Sequence, residues 1–136
     1  MVVIMLNSGI IKKAIKEAEK SKMYPFKVGA VIFKGNRIIS YGYNKKGHAG
    51  KIHPRYRNKY DSIHAEQSAI FKVKNWKKLK NSSILVIRLC RNGFLSMAMP
   101  CDMCMKLIEH VEIREIYYTN HNSEIIKKII WGDLNV

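Results

Sequence analysis

Apolar residues recur along this chain with two different periods, and their alternation lays out a fold. Ile11, Ala14, Ile15 and Ala18 fall at helical spacing with lysines opposite. That predicts a helix over roughly Gly9–Lys22, capped by Ser8 and ended before Pro25. Val28–Phe33 and Arg37–Tyr43 read as strands, joined by the turn-forming Lys34-Gly35-Asn36. Asn44–Asp61 shows no periodicity and is broken by Gly47, Gly50 and Pro54, so it reads as a loop of about 18 residues, longer than most. Asp61 or Ser62 begins a second helix, roughly Ile63–Lys74. Ile84–Leu89 has the β-branched composition of a buried strand. Cys101–His110 reads as a third helix, opened by Pro100, whose missing N–H costs nothing at a helix start. Ile113–Tyr118 is another strand. The order α-β-β-α-β-α-β implies an α/β protein, a mixed sheet with helices packed on it. The tail reads two ways. Ile125, Ile126, Ile129 and Ile130 suit a short helix between Ser123 and Gly132, or a strand returning after a turn at Thr119–Ser123. Periodicity slightly favours the helix, although two turns are few for one.

Composition narrows the picture. At 136 residues and 47% hydrophobic, the chain is expected to be one domain, 1–136, with a core that needs no staples. No apolar run approaches a membrane span, so no membrane role is expected. Met1–Leu6 is apolar but short, with no basic segment before it and no small-residue cleavage site, and is not read as a signal peptide. Three cysteines, two of them in C-x-x-C, suit a reducing compartment and a metal rather than a disulfide framework, so the cytoplasm is the expected location.

The net charge of +15 is unevenly placed. Residues 1–80 hold 19 Lys/Arg against Glu17, Glu19, Asp61 and Glu66, a net of +15, while residues 81–136 hold 6 of each sign. Such a field attracts phosphates, free or in a polymer, so nucleic acid is a possible partner. Abundant Lys, Ile and Asn equally fit an AT-rich coding sequence whose lysines are plain solvated surface.

Two motifs carry chemistry: His64-Ala65-Glu66 and, 37 residues after the histidine, Pro100-Cys101-Asp102-Met103-Cys104. One His and two Cys give a tetrahedral Zn²⁺ three ligands and leave one position for water. A two-residue gap puts both sulfurs on one side of a helical turn, and helix N-termini favour the thiolate. Glu66 lies where a general acid/base serves that water. A structural zinc takes four protein ligands; no fourth is evident beside either motif, though Cys90 or another His is available. Cys90 alone reads as a small buried residue at a strand end. Trp76 and the pair Tyr56 and Tyr60 suit base stacking, or more simply packing under a loop.

The pattern H-x-E…P-C-x-x-C resembles the cytidine deaminase superfamily. Tyr24-Pro25-Phe26-Lys27-Val28-Gly29-Ala30-Val31-Ile32 is similar to the F-x-V-G-A strand of nucleoside deaminases. Ile39-Ser40-Tyr41-Gly42-Tyr43-Asn44 is similar to the G-x-N stretch of deoxycytidylate and tRNA deaminases. The likeness covers roughly residues 24–120. It implies a three-layer α/β/α cytidine-deaminase-like fold around a central mixed sheet of about five strands. It implies zinc-dependent hydrolytic deamination, with water attacking C4 of cytosine or C6 of adenine. His64, Cys101 and Cys104 would hold zinc, and Glu66 would move the protons. Asn44 would hold a sugar hydroxyl, the Ala65 N–H would meet the base carbonyl, and Phe26 would line the base pocket. The expected substrate is a small nucleotide or nucleoside of the dCMP or cytidine type, with a base in single-stranded DNA, RNA or tRNA as the alternative. A homo-oligomer is implied too. His48 and His53 would touch a phosphate or, with Cys90, bind a second metal as in some deoxycytidylate deaminases; plain loop histidines are the simpler reading. Two departures blur the substrate class. Met99 stands where many relatives place Ser or Glu, and Ser40–Asp61 is longer and more basic than in compact nucleoside deaminases.

Overall fold

The computed structural model describes residues 2–3, 6–47 and 62–130. Its elements in chain order are β1 (Val2–Val3), α1 (Ser8–Lys20), β2 (Lys27–Lys34), β3 (Arg37–Tyr43), β4 (Lys45–Lys46), β5 (Ser62–Ile63), α2 (Ala65–Phe71), a 3₁₀ turn (Trp76–Leu79), β6 (Ser83–Leu89), β7 (Leu95–Ser96), α3 (Asp102–His110), β8 (Glu115–Thr119) and β9 (Ile125–Ile129). Five longer strands form the main sheet in the order β9-β8-β6-β2-β3, with β1 added beside β9 and β7 beside β6. β6 and β8 are parallel, joined through α3; the other pairs are antiparallel. The sheet is therefore mixed, as the element order implied.

The central strands β2, β6 and β8 are buried on both faces, which is why β2 and β6 read as continuous apolar runs. Side chains alternate. Val31, Phe33, Leu85, Ile87, Tyr117 and Ile125 face α1 through Ile10, Ala14 and Ala18. Ala30, Ile32, Ile84, Val86, Ile116 and Ile126 face the opposite layer, where α2 and α3 supply Ala65, Ala69, Ile70, Leu107 and Ile108. The result is three layers, α/β/α. Two glycines set the layer spacing. A Cβ on Gly29 would lie 2.1 Å from the Ala14 carbonyl oxygen, and one on Gly42 would lie 2.6 Å from Ser68 Oγ and 2.8 Å from Ala69 N. Gly29 thus seats α1 on β2, and Gly42 seats α2 on β3.

Several boundaries differ from the sequence expectation. Asn7 caps α1, accepting a 2.8 Å bond from Gly9 N, and Ser8 is already helical. α2 is shorter than expected, because Ser62–Ile63 pair with Lys45–Lys46 in a two-stranded ribbon and His64 becomes the helix cap. The loop reading of Asn44–Asp61 is thus corrected at its start, and residues 48–61 lie outside the described part. The tail is a strand, not the slightly favoured helix. β9 runs antiparallel to β8 from Thr119↔Ile125 to Glu115↔Ile129. Pairing supplies the backbone partners that a two-turn helix would need at its ends. It also sends Ile125 and Ile126 into opposite core layers. Trp76 packs: it stacks 6.3 Å from Phe71, meets His110 edge-on at 6.0 Å, and donates to Ile70 O at 3.3 Å. Among the described residues no helix is long and apolar enough to cross a membrane.

Candidate zinc site and catalytic cavity

Both motifs fall at helix N-termini. His64 caps α2 with extended backbone (φ −72°, ψ 156°), and Cys101 caps α3 likewise (φ −70°, ψ 168°). Local bonds fix each. The His64 N–H donates to Gln67 Oε1 at 2.9 Å, and its carbonyl accepts from Ser68 N at 2.9 Å. Before α3, Ala98 N donates to Thr119 O at 2.9 Å, which ties the approach to Pro100 to the end of β8. The Cys101 carbonyl accepts from Met105 N at 2.8 Å.

The two caps converge. His64 Nδ1 lies 3.3 Å from Cys104 Sγ and 3.7 Å from Cys101 Sγ. All three donor atoms fall within 4.8 Å of one another, and they form the metal-competent group found among the described residues. Tetrahedral zinc, with bonds of about 2.0–2.3 Å, holds N and S donors about 3.5 Å apart. The donor set and its spacing fit zinc. Cys104 is fully buried and Cys101 is exposed, so the group opens to one side. Of the proposed second metal group, Cys90 is half-buried, and His48 and His53 lie outside the described residues.

Burial and neighbours set the site's charge states. Hydrogen bonds from Cys104 and His64 push the Cys101 thiol down to about 3. Cys104 moves the other way, well up, through its bond to the Cys101 sulfur and through burial. The bond to Cys101 raises His64. Glu66 is 5% exposed. Burial raises its carboxyl, against the opposing pull of its own backbone N–H, His64 and the Cys104 thiol. A carboxyl raised in this way can hold and release a proton nearer neutrality.

A cavity of about 250 Å³ opens beside these groups, and its wall includes Phe26, Asn44, His64, Ala65, Glu66 and Met99. Every residue expected to touch substrate is therefore in one wall with His64 and Glu66, and Cys101 and Cys104 stand next to it. Among the described residues, larger cavities lie elsewhere, beside β3 and at its end. Ala65 is the first residue of α2, so its N–H has no acceptor within the helix. Phe26 is 53% exposed at the mouth. Asn44 is engaged more than expected. Its Oδ1 accepts from Val28 N at 2.9 Å, and its Nδ2 donates to Phe26 O. It latches the entry of β2, and the valence of the amide leaves one N–H over.

Sequence reasoning missed Arg88, which also lines this cavity. Its guanidinium sits 4.3 Å above the Phe26 ring, and its Nε is buried without a hydrogen-bond partner. The signal was present: one cation inside the apolar run Ile84-Leu85-Val86-Ile87-Arg88-Leu89. Gln67 was missed too, hidden as an ordinary helix residue, yet it orients the His64 backbone.

A three-layer α/β/α fold with His-x-Glu and Cys-x-x-Cys meeting at two helix caps defines a zinc-binding deaminase-type protein. The chain belongs to the family described as the cytidine and deoxycytidylate deaminase zinc-binding region, which it matches over residues 6–120. Solved structures agree on the fold. The dCMP deaminase of the cyanophage S-TIM5 is 23% identical with a TM-score of 0.60, covering 84% of this chain and 82% of that one. The cytidine deaminase of Burkholderia pseudomallei is 19% identical with a TM-score of 0.65, covering 92% and 93%. A diaminohydroxyphosphoribosylaminopyrimidine deaminase/5-amino-6-(5-phosphoribosylamino)uracil reductase from Thermotoga maritima is 25% identical with a TM-score of 0.54, covering 82% of this chain and 29% of that one. A search of curated proteins finds no match.

Proposed function

We propose that this chain hydrolyses the exocyclic amine of a cytosine base carried by a small nucleotide or nucleoside, leaving uracil and releasing ammonia. The observation that carries this reading is the buried Glu66 carboxyl in the wall of a small cavity that also holds His64, Asn44 and Phe26. At about 250 Å³, the cavity falls below the roughly 300–1,000 Å³ of sites for drug-sized ligands. It suits a single base, with sugar and phosphate at the mouth. The S-TIM5 enzyme has been solved with dCMP and dUMP, which supports a pyrimidine nucleotide here. The described residues 6–47 and 62–130, most of which pack around one main sheet, support reading 1–136 as a single deaminase domain.

In this reading His64, Cys101 and Cys104 hold zinc. When bound, zinc supplies a Lewis acid that lets water ionise near neutral pH. Glu66 takes a proton from the attacking water and delivers it to the ring nitrogen, N3. A C–O bond forms at C4. Glu66 then takes the proton of the new C4 hydroxyl and passes it to the amine; the C4–N bond breaks, C4 becomes a carbonyl and ammonia leaves. The Ala65 N–H holds the base carbonyl. Phe26 covers one side of the base, and the remaining Asn44 N–H reaches the sugar.

A second reading, a target base within single-stranded DNA, RNA or tRNA, is supported by the rim. Phe26 is about half exposed there, as is Tyr24 two residues before it, with Lys27 and Arg91 over Tyr24 and Arg88 over Phe26. Ammonia release from cytidine, deoxycytidine, CMP, dCMP, adenosine and single-stranded DNA and RNA separates the two. We expect the fastest turnover with a cytosine mononucleotide or nucleoside. Faster release from a polymer would favour the second reading, and no release from any compound of the panel by zinc-loaded protein would overturn both.

A further inference from the structure

The lysine excess has a place in the fold. There is no acidic residue from Lys20 to Tyr60, nor from Gln67 to Cys101. The first stretch supplies β2 and β3, and the second supplies the end of α2 and the segment leading to β6. These meet along β3, one of the two edge strands of the main sheet among the described residues.

Three lysines converge on one ring there. Tyr41 on β3 is 37% exposed. Lys13 Nζ stands 3.7 Å from its ring centroid, Lys72 Nζ 4.9 Å and Lys20 Nζ 5.8 Å. Lys72 also donates to the Tyr41 carbonyl at 2.6 Å, which holds it in place. Glu17 answers Lys13 at 3.4 Å and Lys20 at 2.6 Å. Burial depresses Lys72; Glu17 opposes this, and Lys45, Lys20 and Lys13 add to it. The cluster carries more positive charge than Glu17 offsets, and an anion would relieve it.

Cavities extend from Tyr41 in both directions. On one side, a cavity of about 620 Å³ is lined by Arg37, Ser40, Tyr41, Lys72, Lys74 and Lys78 among others. A neighbour of about 350 Å³ shares Arg37, Ile39 and Lys78 and reaches Lys34. On the other side, one of about 400 Å³ is lined by Lys20, Lys22, Tyr43, Lys45 and Lys46. Lys45 directly follows Asn44, which lines the catalytic cavity. The seven residues of β3 span about 23 Å, enough for a few nucleotides of a single strand.

We propose that the β3 edge is a docking track for single-stranded nucleic acid, its phosphates meeting Arg37 and the lysines and its bases lying against Tyr41 and the half-exposed Ile38. Cations interleaved with aromatic rings along a groove are the elements of sequence-tolerant single-strand binding. The track is separate from the deamination reading and stands or falls without it.

The test is fluorescence anisotropy of the full chain with labelled dT12, which carries no exocyclic amine and so keeps turnover out of the measurement. Four phosphate contacts predict a log–log salt slope near −3, or roughly fifty-fold weaker binding from 50 to 200 mM salt. Lys74→Glu with Lys78→Glu should weaken binding at least tenfold and flatten the slope by about 1.4. Arg37→Glu, on the strand itself, should act in the same direction. Lys106→Glu with Lys128→Glu makes the same change in net charge away from the edge and should cost less than threefold. All these side chains are exposed, and thermal melts check that each variant folds. No binding by the wild type, or equal losses in both double variants, would overturn the track: the lysines would then only guard an open edge. A dimer seen by light scattering that Lys74→Glu with Lys78→Glu abolishes, with dT12 affinity unchanged, would overturn it in favour of a second copy of the chain.

Discussion

The two ends of α2 are proposed to work by opposite means. At its N-terminus, His64 and Glu66 would act through placement: donor atoms 3.3 and 3.7 Å apart and a carboxyl stripped of water. At its C-terminus, Lys72 belongs to a surface that would act through accumulated charge. Removing one atom from the first is decisive, whereas the second tolerates the loss of any one cation. A short spacing motif can specify the first kind of site. The second kind appears only when the fold brings distant lysines together.

The sharpest way to break the contrast is Glu66→Gln. Turnover should fall about a thousandfold, the scale of a lost general acid/base, with zinc content and dT12 binding unchanged. Cys101→Ala should instead lose zinc, read by metal analysis after purification without chelators, and activity with it. Loss of oligonucleotide binding in Glu66→Gln would erase the distinction. Next in size is Gly42→Ala, which attacks the seat shared by both ends. Its methyl would press on Ser68 Oγ and Ala69 N. Overpacking of this kind costs about 2 kcal/mol, or a Tm lower by roughly 8 °C in a chain of this size. Arg88→Met should lower kcat/KM about tenfold, some 1.4 kcal/mol, if the buried Nε meets substrate. Unchanged kinetics would return Arg88 to a support for Phe26.

The smallest effect is expected in the charge-balanced half, at Glu115. Burial pushes its carboxyl up, but Ser83 and Lys127 hold it, on balance, below its ordinary value of 4.5. Lys127 sits 2.7 Å away. A depressed acid adds stability above its unfolded value and loses it as pH falls through the lower folded one. Glu115→Gln should therefore cost less than about 1 kcal/mol at pH 7 and nothing near pH 2. Urea melts at the two pH values measure it.

Particular residues show how much of this was legible in the sequence. HAE and PCxxC carried the zinc site outright, because a metal demands fixed donors at fixed local spacing. The core strands were legible because Ile84–Leu89 and Val28–Phe33 are buried on both faces. The tail was misread since Ile125, Ile126, Ile129 and Ile130 satisfy a helical spacing, and only the free side of β8 decides for a strand. Ser62–Ile63 escaped notice because its partner, Lys45–Lys46, lies far back along the chain. The β3 edge was visible as composition but not as a place. Nothing local joins Lys13, Lys20 and Lys72 to Tyr41.

The meeting of two helix caps has a further consequence, for folding. His64 and Cys101 are 37 residues apart, and between them the chain makes all of α2, β6 and β7. A metal bound to both would be a removable cross-link between two helices of one layer. The folded chain should then hold zinc and the unfolded chain little, so stability follows free zinc by mass action. At a hundred times the dissociation constant the gain is about 2.7 kcal/mol. Metal supply would thus govern how long the protein survives as well as whether it turns over.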